Sequence, residues 1–283
     1  MLNRGVWGFC FIIASGGTSV SILCAQSHGS VIHEQSQIMK RENLLPCFVF
    51  PMAVEASPFL KRLEVVSRKR TGGATYRTAL FEGTHILVVR CGIGSSRAAA
   101  SIRNLEHRPS WVMSVGTAGA LVDSLRVGDI VVSSGVVCGE EAAPFYRADP
   151  AVMELASRAS QRAGATFERG EIASVGAPVF TRKAREELHR RTGAIAVDME
   201  SYWIAQETSR LGVTFTALRV ISDNMKAPPL PEYTELRALV RSPFGLIRRI
   251  PHYLRWRVFL RDFRGAINVL PPVLVEVLRC WNR

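Results

Sequence analysis

Residues 193–224 read GAIAVDMESYWIAQETSRLGVTFTALRVISDN. A short apolar run, Ala194–Val197, ends in Asp198-Met199-Glu200-Ser201, and a helix-like stretch follows to about Leu211. A second apolar run, Val213–Ile221, ends in Ser222-Asp223-Asn224. The order is strand, helix, strand, with an acid just past the end of each strand: Glu200 and Asp223. In open α/β sheets ligands bind outside the carboxyl ends of the strands. The spacing therefore predicts that both carboxylates face one pocket. Taken alone, Asp223 in Ser-Asp-Asn also fits a plain turn former.

The same alternation recurs upstream. Cys47–Met52 is strand-like and leads through Ala53-Val54-Glu55-Ala56 into a helix predicted to reach about Val66. Glu55 at that turn reads either as a functional acid or as a first-turn acid favoured by the helix dipole. Tyr76–Phe81 and Ile86–Arg90 read as strands joined by Glu82-Gly83-Thr84. Cys91-Gly92-Ile93-Gly94 then opens a helix predicted from about Arg97 to His107. Such a glycine turn suits an anion or a close ligand, or simply bends the chain.

Trp111–Val115 reads as a buried strand ending in Gly116-Thr117-Ala118-Gly119-Ala120, small residues that let a flat ligand approach the backbone. Asp129–Val137 is a further strand. Asp149 caps a helix starting at Pro150 and running to about Ala163, Glu171–Val175 is a strand, and Thr181 caps a helix to Arg191. Strands alternating with helices, plus a few antiparallel pairs, indicate an α/β fold: a three-layer α/β/α sandwich with a central mixed sheet.

A chain of 283 residues that is 47% hydrophobic can fill one large α/β core and is not disordered. The net charge of +12 is uneven. Residues 241–283 carry nine Arg against Asp262 and Glu276, so much of the basicity sits at one end and makes no case for a nucleic-acid-binding core. The six Cys form no CxxC, and there is no Walker loop, G-x-S-x-G or H-E-x-x-H, so no metal or cofactor is expected.

Three segments follow: an N-terminal extension at 1–44, a catalytic domain at 45–240 and a basic amphipathic tail at 241–283. The extension reads as signal-like or as sequence ahead of a start at Met39. In the tail, Trp256, Phe259, Leu260 and Phe263 stand at i, i+3, i+4 and i+7, beside Arg257, Arg261 and Arg264. That stripe suits peripheral contact with an anionic membrane surface. It equally fits an ordinary helix that covers the core and solvates an arginine edge.

Four segments in order carry a family resemblance: Met52-Ala53-Val54-Glu55; Cys91-Gly92-Ile93-Gly94; Ser114–Leu121 followed by Val127-Gly128-Asp129-Ile130-Val131; and Val197-Asp198-Met199-Glu200-Ser201 with Arg219-Val220-Ile221-Ser222-Asp223. Over residues 45–240 the pattern resembles the nucleoside phosphorylase family, on its methylthioadenosine/S-adenosylhomocysteine nucleosidase side. The resemblance implies cleavage of a purine N-glycosidic bond, with Asp223 serving N7 of the base and Glu55 activating water. It also implies Glu200 on the ribose hydroxyls, Met199 against sugar or base, and Gly116 and Thr117 near the sugar. Burial is expected to keep Asp223 protonated.

Val179 or Phe180 falls where the family places a residue against the base, and Phe180 fits a core position as well. The family implies a homo-oligomer, a cytoplasmic setting and a small-molecule nucleoside as partner. Thr192-Gly193-Ala194 and the Arg-Ser-Pro of the tail are similar to the hopanoid-associated branch. That branch implies a lipid-linked substrate, adenosylhopane, handled at the inner membrane. Arg90 and Arg97 flank the glycine turn without converging on the sugar, which favours water over phosphate as the attacking group. Phosphorolysis and a non-enzymatic lipid- or protein-binding module are the alternatives, and three acids in motif positions count against the second.

Overall fold

Ten strands form one mixed sheet in the computed structural model, which describes residues 44–140, 143–226 and 257–282. In chain order the elements are β1 (Cys47–Phe50), α1 (Ala53–Leu60), β2 (Glu64–Thr71), β3 (Ala74–Phe81), β4 (Thr84–Arg90), α2 (Ser95–Arg103) and β5 (Trp111–Ala120). Next come β6 (Ile130–Cys138), β7 (Tyr146–Arg147), α3 (Pro150–Arg162), β8 (Phe167–Ser174), α4 (Arg182–Thr192), β9 (Ala196–Asp198), α5 (Ser201–Arg210) and β10 (Thr214–Asp223). Residues 257–267 are helical (α6), and α7 spans Leu270–Trp281. The N-terminal extension, Trp256 and the start of the tail lie outside the described residues.

The strand order is β10-β6-β8-β9-β5-β1-β4-β3-β2, and β10 also pairs with β5. One end of the sheet therefore closes into a circuit of β5, β10, β6, β8 and β9. β1, β4, β5 and β10 run parallel, so their carboxyl ends share one edge.

Period-two alternation sorts side chains onto two faces. Phe48 and Phe50 of β1 join one apolar cluster, with Ala56 and Phe59 of α1, Ala156 of α3 and Leu274 of α7. Cys47 and Val49 join the other, with Ile102 of α2 and Ile204 of α5. Helices thus cover both faces, as a three-layer α/β/α arrangement requires.

Local signals set most boundaries. Asp149 accepts hydrogen bonds from the N–H groups of Ala151 and Val152, with Pro150 at the first helical position. Thr181 accepts from the Ala184 N–H, and Gly193 closes α4 at φ 73°, where a side chain would be strained.

Three expectations change. The helix predicted to reach Val66 stops at Leu60, and Glu64–Thr71 is instead a strand, exposed along its length and paired antiparallel with β3. It is an edge strand without a buried face, so it lacks the alternation that marks a strand in sequence. β5 continues to Ala120, because Gly116 to Ala118 pair with β10, and Gly119 and Ala120 with β9. Finally, the end of the chain is no detached tail. Leu270, Val273, Leu274, Val277 and Leu278 of α7 are wholly buried against α1 and α3. Among the described residues no helix is long and apolar enough to cross a membrane.

Candidate active site

A cavity of about 490 Å³ opens at the shared carboxyl edge of β1, β5 and β10. Glu55, Thr117, Phe180, Met199, Glu200 and Asp223 all line it. Gly116 does not, which corrects its expected place against the ligand. A Cβ there would lie 2.5 Å from Arg219 Nη1 and 3.0 Å from Glu55 Oε1. Its missing side chain leaves room for Arg219 and the Glu55 carboxyl to lie side by side.

Glu55 sits in the first turn of α1 and is almost wholly buried. Its Oε2 accepts from the Met52 N–H at 3.0 Å, and its Oε1 from the Thr117 N–H at 2.8 Å and the Thr117 hydroxyl at 2.9 Å. Burial pushes the Glu55 carboxyl above the usual range, opposed by the Arg219 charge and the Thr117 and Met52 donors. Three donors fix the carboxylate in one orientation, which a base that must meet one water molecule requires.

Glu200 is held differently. It precedes α5, and its Oε1 accepts from the Gly94 N–H at 2.9 Å. The glycine turn, with φ 98° at Gly94, thus delivers a backbone donor to a carboxylate of the site. Burial and then the neighbouring Asp198 push Glu200 up to about 7, with Arg219 pulling the other way.

Arg219 explains how so many acids share the space. It is fully buried in the middle of β10, its Nε donates to Asp198 Oδ2 at 2.7 Å, and its Nη2 donates to Ser114 and Ser201 Oγ, each at 2.8 Å. Nη1 has no hydrogen-bond partner among the described residues. Asp198 also accepts from the Ser174 hydroxyl at 2.5 Å and from the N–H groups of Glu200 and Ser201 at 3.3 Å. Sequence reading quoted Asp198 and Arg219 but gave them no part. A charge inside each of two apolar runs was the available signal, since a buried charge requires a partner.

Asp223 ends β10, where a register shift between Ile221 and Asp223 turns it toward Gly119. Its Oδ1 accepts from the Ser222 hydroxyl at 2.8 Å, and its Oδ2 pairs with Arg185 of α4. The Asp223 side chain is 19% exposed and has a guanidinium partner that sequence reading missed. Arg185 is one of several Arg on a strongly charged helix, and no pattern separates it from the solvated ones.

Arg90 donates to Thr75 Oγ1 at 3.1 Å, and the Arg97 side chain packs over Gly92. Neither lines the cavity. Val258, Phe259, Asp262 and Phe263 of α6 do, so part of the supposed tail forms a wall of the site.

The model of the Phosphorylase superfamily matches residues 47–238. The chain belongs to the phosphorylase superfamily. Among curated relatives of this superfamily member, the 5′-methylthioadenosine/S-adenosylhomocysteine nucleosidase of Desulfotalea psychrophila is 27% identical over 192 residues, covering 62% of this chain and 82% of the relative. That of Bacillus subtilis is 28% identical over 192 residues, covering 61% and 82%. Futalosine hydrolase of Helicobacter pylori shares the fold at a TM-score of 0.68 and 19% identity, over 84% of this chain and 99% of that one. A nucleosidase from Colwellia psychrerythraea, solved in complex with adenine, aligns at 0.68 and 18% identity over 84% and 96%. The superfamily match spans the elements that carry Glu55, Glu200 and Asp223 and ends before α6 and α7.

Proposed function

We propose that this protein hydrolyses the N-glycosidic bond of a 5′-substituted adenosine and releases adenine. The observation that carries the reading is the convergence of Glu55, Glu200 and Asp223, from three separate segments, on one cavity. Cleavage passes through an oxocarbenium-like sugar, which needs a proton at the leaving base and a nucleophile at C1′. Asp223 acts in its protonated form: the O–H on Oδ1 gives its proton to N7 as the C1′–N9 bond breaks, and the carboxylate that remains is paired with Arg185. Glu55 takes a proton from the water whose oxygen bonds to C1′. Glu200 accepts hydrogen bonds from the ribose hydroxyls, and Met199 packs beside the sugar. Phe180 borders the base.

The finer substrate assignment is a nucleoside with a bulky apolar 5′ group, adenosylhopane in the branch the sequence resembles. Val258, Phe259 and Phe263 provide an apolar wall, and Ile93 on the glycine turn is 48% exposed at the same cavity. Such a lipid-bearing substrate places the protein at the surface of a membrane. Assembly into a homo-oligomer accompanies this reading.

The test measures free base, adenine from the adenosines and hypoxanthine from futalosine, after incubation with 5′-methylthioadenosine, S-adenosylhomocysteine, futalosine and an adenosyl-lipid, each with and without phosphate. Phosphate-independent release, fastest from the adenosyl-lipid, is the expected result. Release that requires phosphate would overturn hydrolysis. No release from any of the four would overturn the proposal as a whole.

The Glu200 environment adds a pH prediction. An ionised carboxylate accepts from both ribose hydroxyls, and its protonated form loses part of that capacity. With Glu200 pushed up to about 7, kcat/KM should rise as pH increases through 7. Glu200→Gln should flatten that limb; an unchanged limb would remove Glu200 from the ribose contact. The effect on the free protein has the opposite sign. Between the ordinary carboxylate range and about 7 the native state holds the extra proton, so stability falls as pH rises through that window.

A further inference from the structure

We propose that Arg185 is a positioning residue that assembles the base-binding end of the cavity around Asp223. The inference rests on the proposed nucleosidase chemistry. Arg185 reaches in from α4 and is buried, with only 6% of its side chain exposed. Its Nε donates to the Val179 carbonyl at 2.9 Å. Its Nη1 faces the carbonyls of Asn224 at 3.2 Å, Ala120 at 3.4 Å and Asp223 at 3.5 Å. Its Nη2 donates to Asp223 Oδ2.

All three nitrogens of one planar group are therefore engaged, and their partners come from three parts of the chain. Val179 belongs to the segment ahead of α4, Ala120 ends β5, and Asp223 and Asn224 end β10. Arg185 joins these three segments at this corner of the cavity, and Val179 and Asp223 both line it. A guanidinium can hold them at once because its donors lie in one plane with fixed divergence. A Lys ammonium is a point charge and cannot span them.

Gly119 supports the same conclusion. A Cβ there would lie 3.2 Å from Asp223 Oδ2 and 3.4 Å from Arg185 Nη2, so the missing side chain leaves the ion pair its space. With Oδ2 taken by Arg185, it is Oδ1, next to the Ser222 hydroxyl, that is left to address the base. Arg185 thus selects which oxygen of Asp223 acts and fixes the distance between that oxygen and the Val179 side of the pocket.

The test compares wild type, Arg185→Lys and Arg185→Ala on an adenosine that the wild-type protein cleaves, together with binding of free adenine by calorimetry. A group misplaced by about 1 Å can cost on the order of 100-fold. Arg185→Ala should therefore lower kcat by about 10- to 100-fold with KM changed less. Adenine should bind roughly tenfold more weakly, and added guanidine hydrochloride at millimolar levels should restore part of kcat. Arg185→Lys, which keeps charge and stem, should show the kcat loss with an unaltered melting temperature, and it carries the test if the Ala variant does not fold.

Wild-type kcat in the Lys variant, or a loss confined to KM, would overturn the role of Arg185 and leave the nucleosidase reading standing. A wild-type protein that releases no adenine would instead overturn the nucleosidase reading. The adenine-binding comparison would still decide whether Arg185 organises that corner.

Discussion

Asp223→Asn should abolish adenine release, with a loss on the order of 10²–10⁴-fold in kcat, the range that one general acid contributes. The amide has nearly the same shape. It can present its one carbonyl oxygen to Arg185, while its amide nitrogen donates to Ser222 Oγ and that hydroxyl donates to the Ala118 carbonyl, so the fold should persist. It has no acidic proton for N7. The base would then have to leave as an anion, and the oxocarbenium-like state loses its partner at the leaving group. Single-turnover adenine release separates this outcome from weak binding: the variant should bind substrate and leave it intact. Turnover at the wild-type rate would show that the proton comes from elsewhere and would remove the central role assigned to this residue.

Glu55→Gln should produce a second loss of about 10²–10⁴-fold, for a different reason. The leaving group can still be protonated, but no carboxylate takes the proton from the attacking water. The substitution also changes the local hydrogen bonding. Glu55 accepts from Met52 N–H, Thr117 N–H and the Thr117 hydroxyl, and a Gln side chain cannot accept through its amide nitrogen. At least one buried donor is left unsatisfied, at a cost of about 1–3 kcal/mol. The kinetic consequence is isolated with azide, an anion that attacks C1′ without giving up a proton. Azide should restore base release in the Gln variant and leave the wild type almost unaffected. A Gln variant that azide does not rescue would mean that Glu55 holds structure rather than water.

Much of this was legible in the sequence where chemistry and local patterning coincide. The strand-helix-strand order of residues 193–224 and the caps at Asp149 and Thr181 show within a few residues, whereas the acids at 55, 200 and 223 stand out only when the four segments are read together. What was hidden depends on distant partners. Glu64–Thr71 has no buried face, so only its pairing with β3 defines it as a strand. Gly116 and Gly119 look like a loop until β9 and β10 are seen alongside them. Arg185 lies in a helix dense with charge, and its partners are mostly backbone carbonyls, which sequence does not distinguish. α7, whose apolar face sequence reading left unassigned, is buried against α1 and α3.

The packing of α7 onto α1 also sets the order in which the site can come into being. Residues 53–60 emerge early in synthesis, whereas the surface that covers Ala56 and Phe59 arrives with residues 270–281, some two hundred positions later. At about 5–20 residues per second, that interval is roughly 10–40 s. Contacts of such long sequence separation form late, after the loop-closure entropy has been met. Until then the helix that carries Glu55 lacks one of its walls. A nascent chain can therefore complete its sheet while the Glu55 carboxyl is still unplaced, so an intact cavity is among the last features this polypeptide acquires.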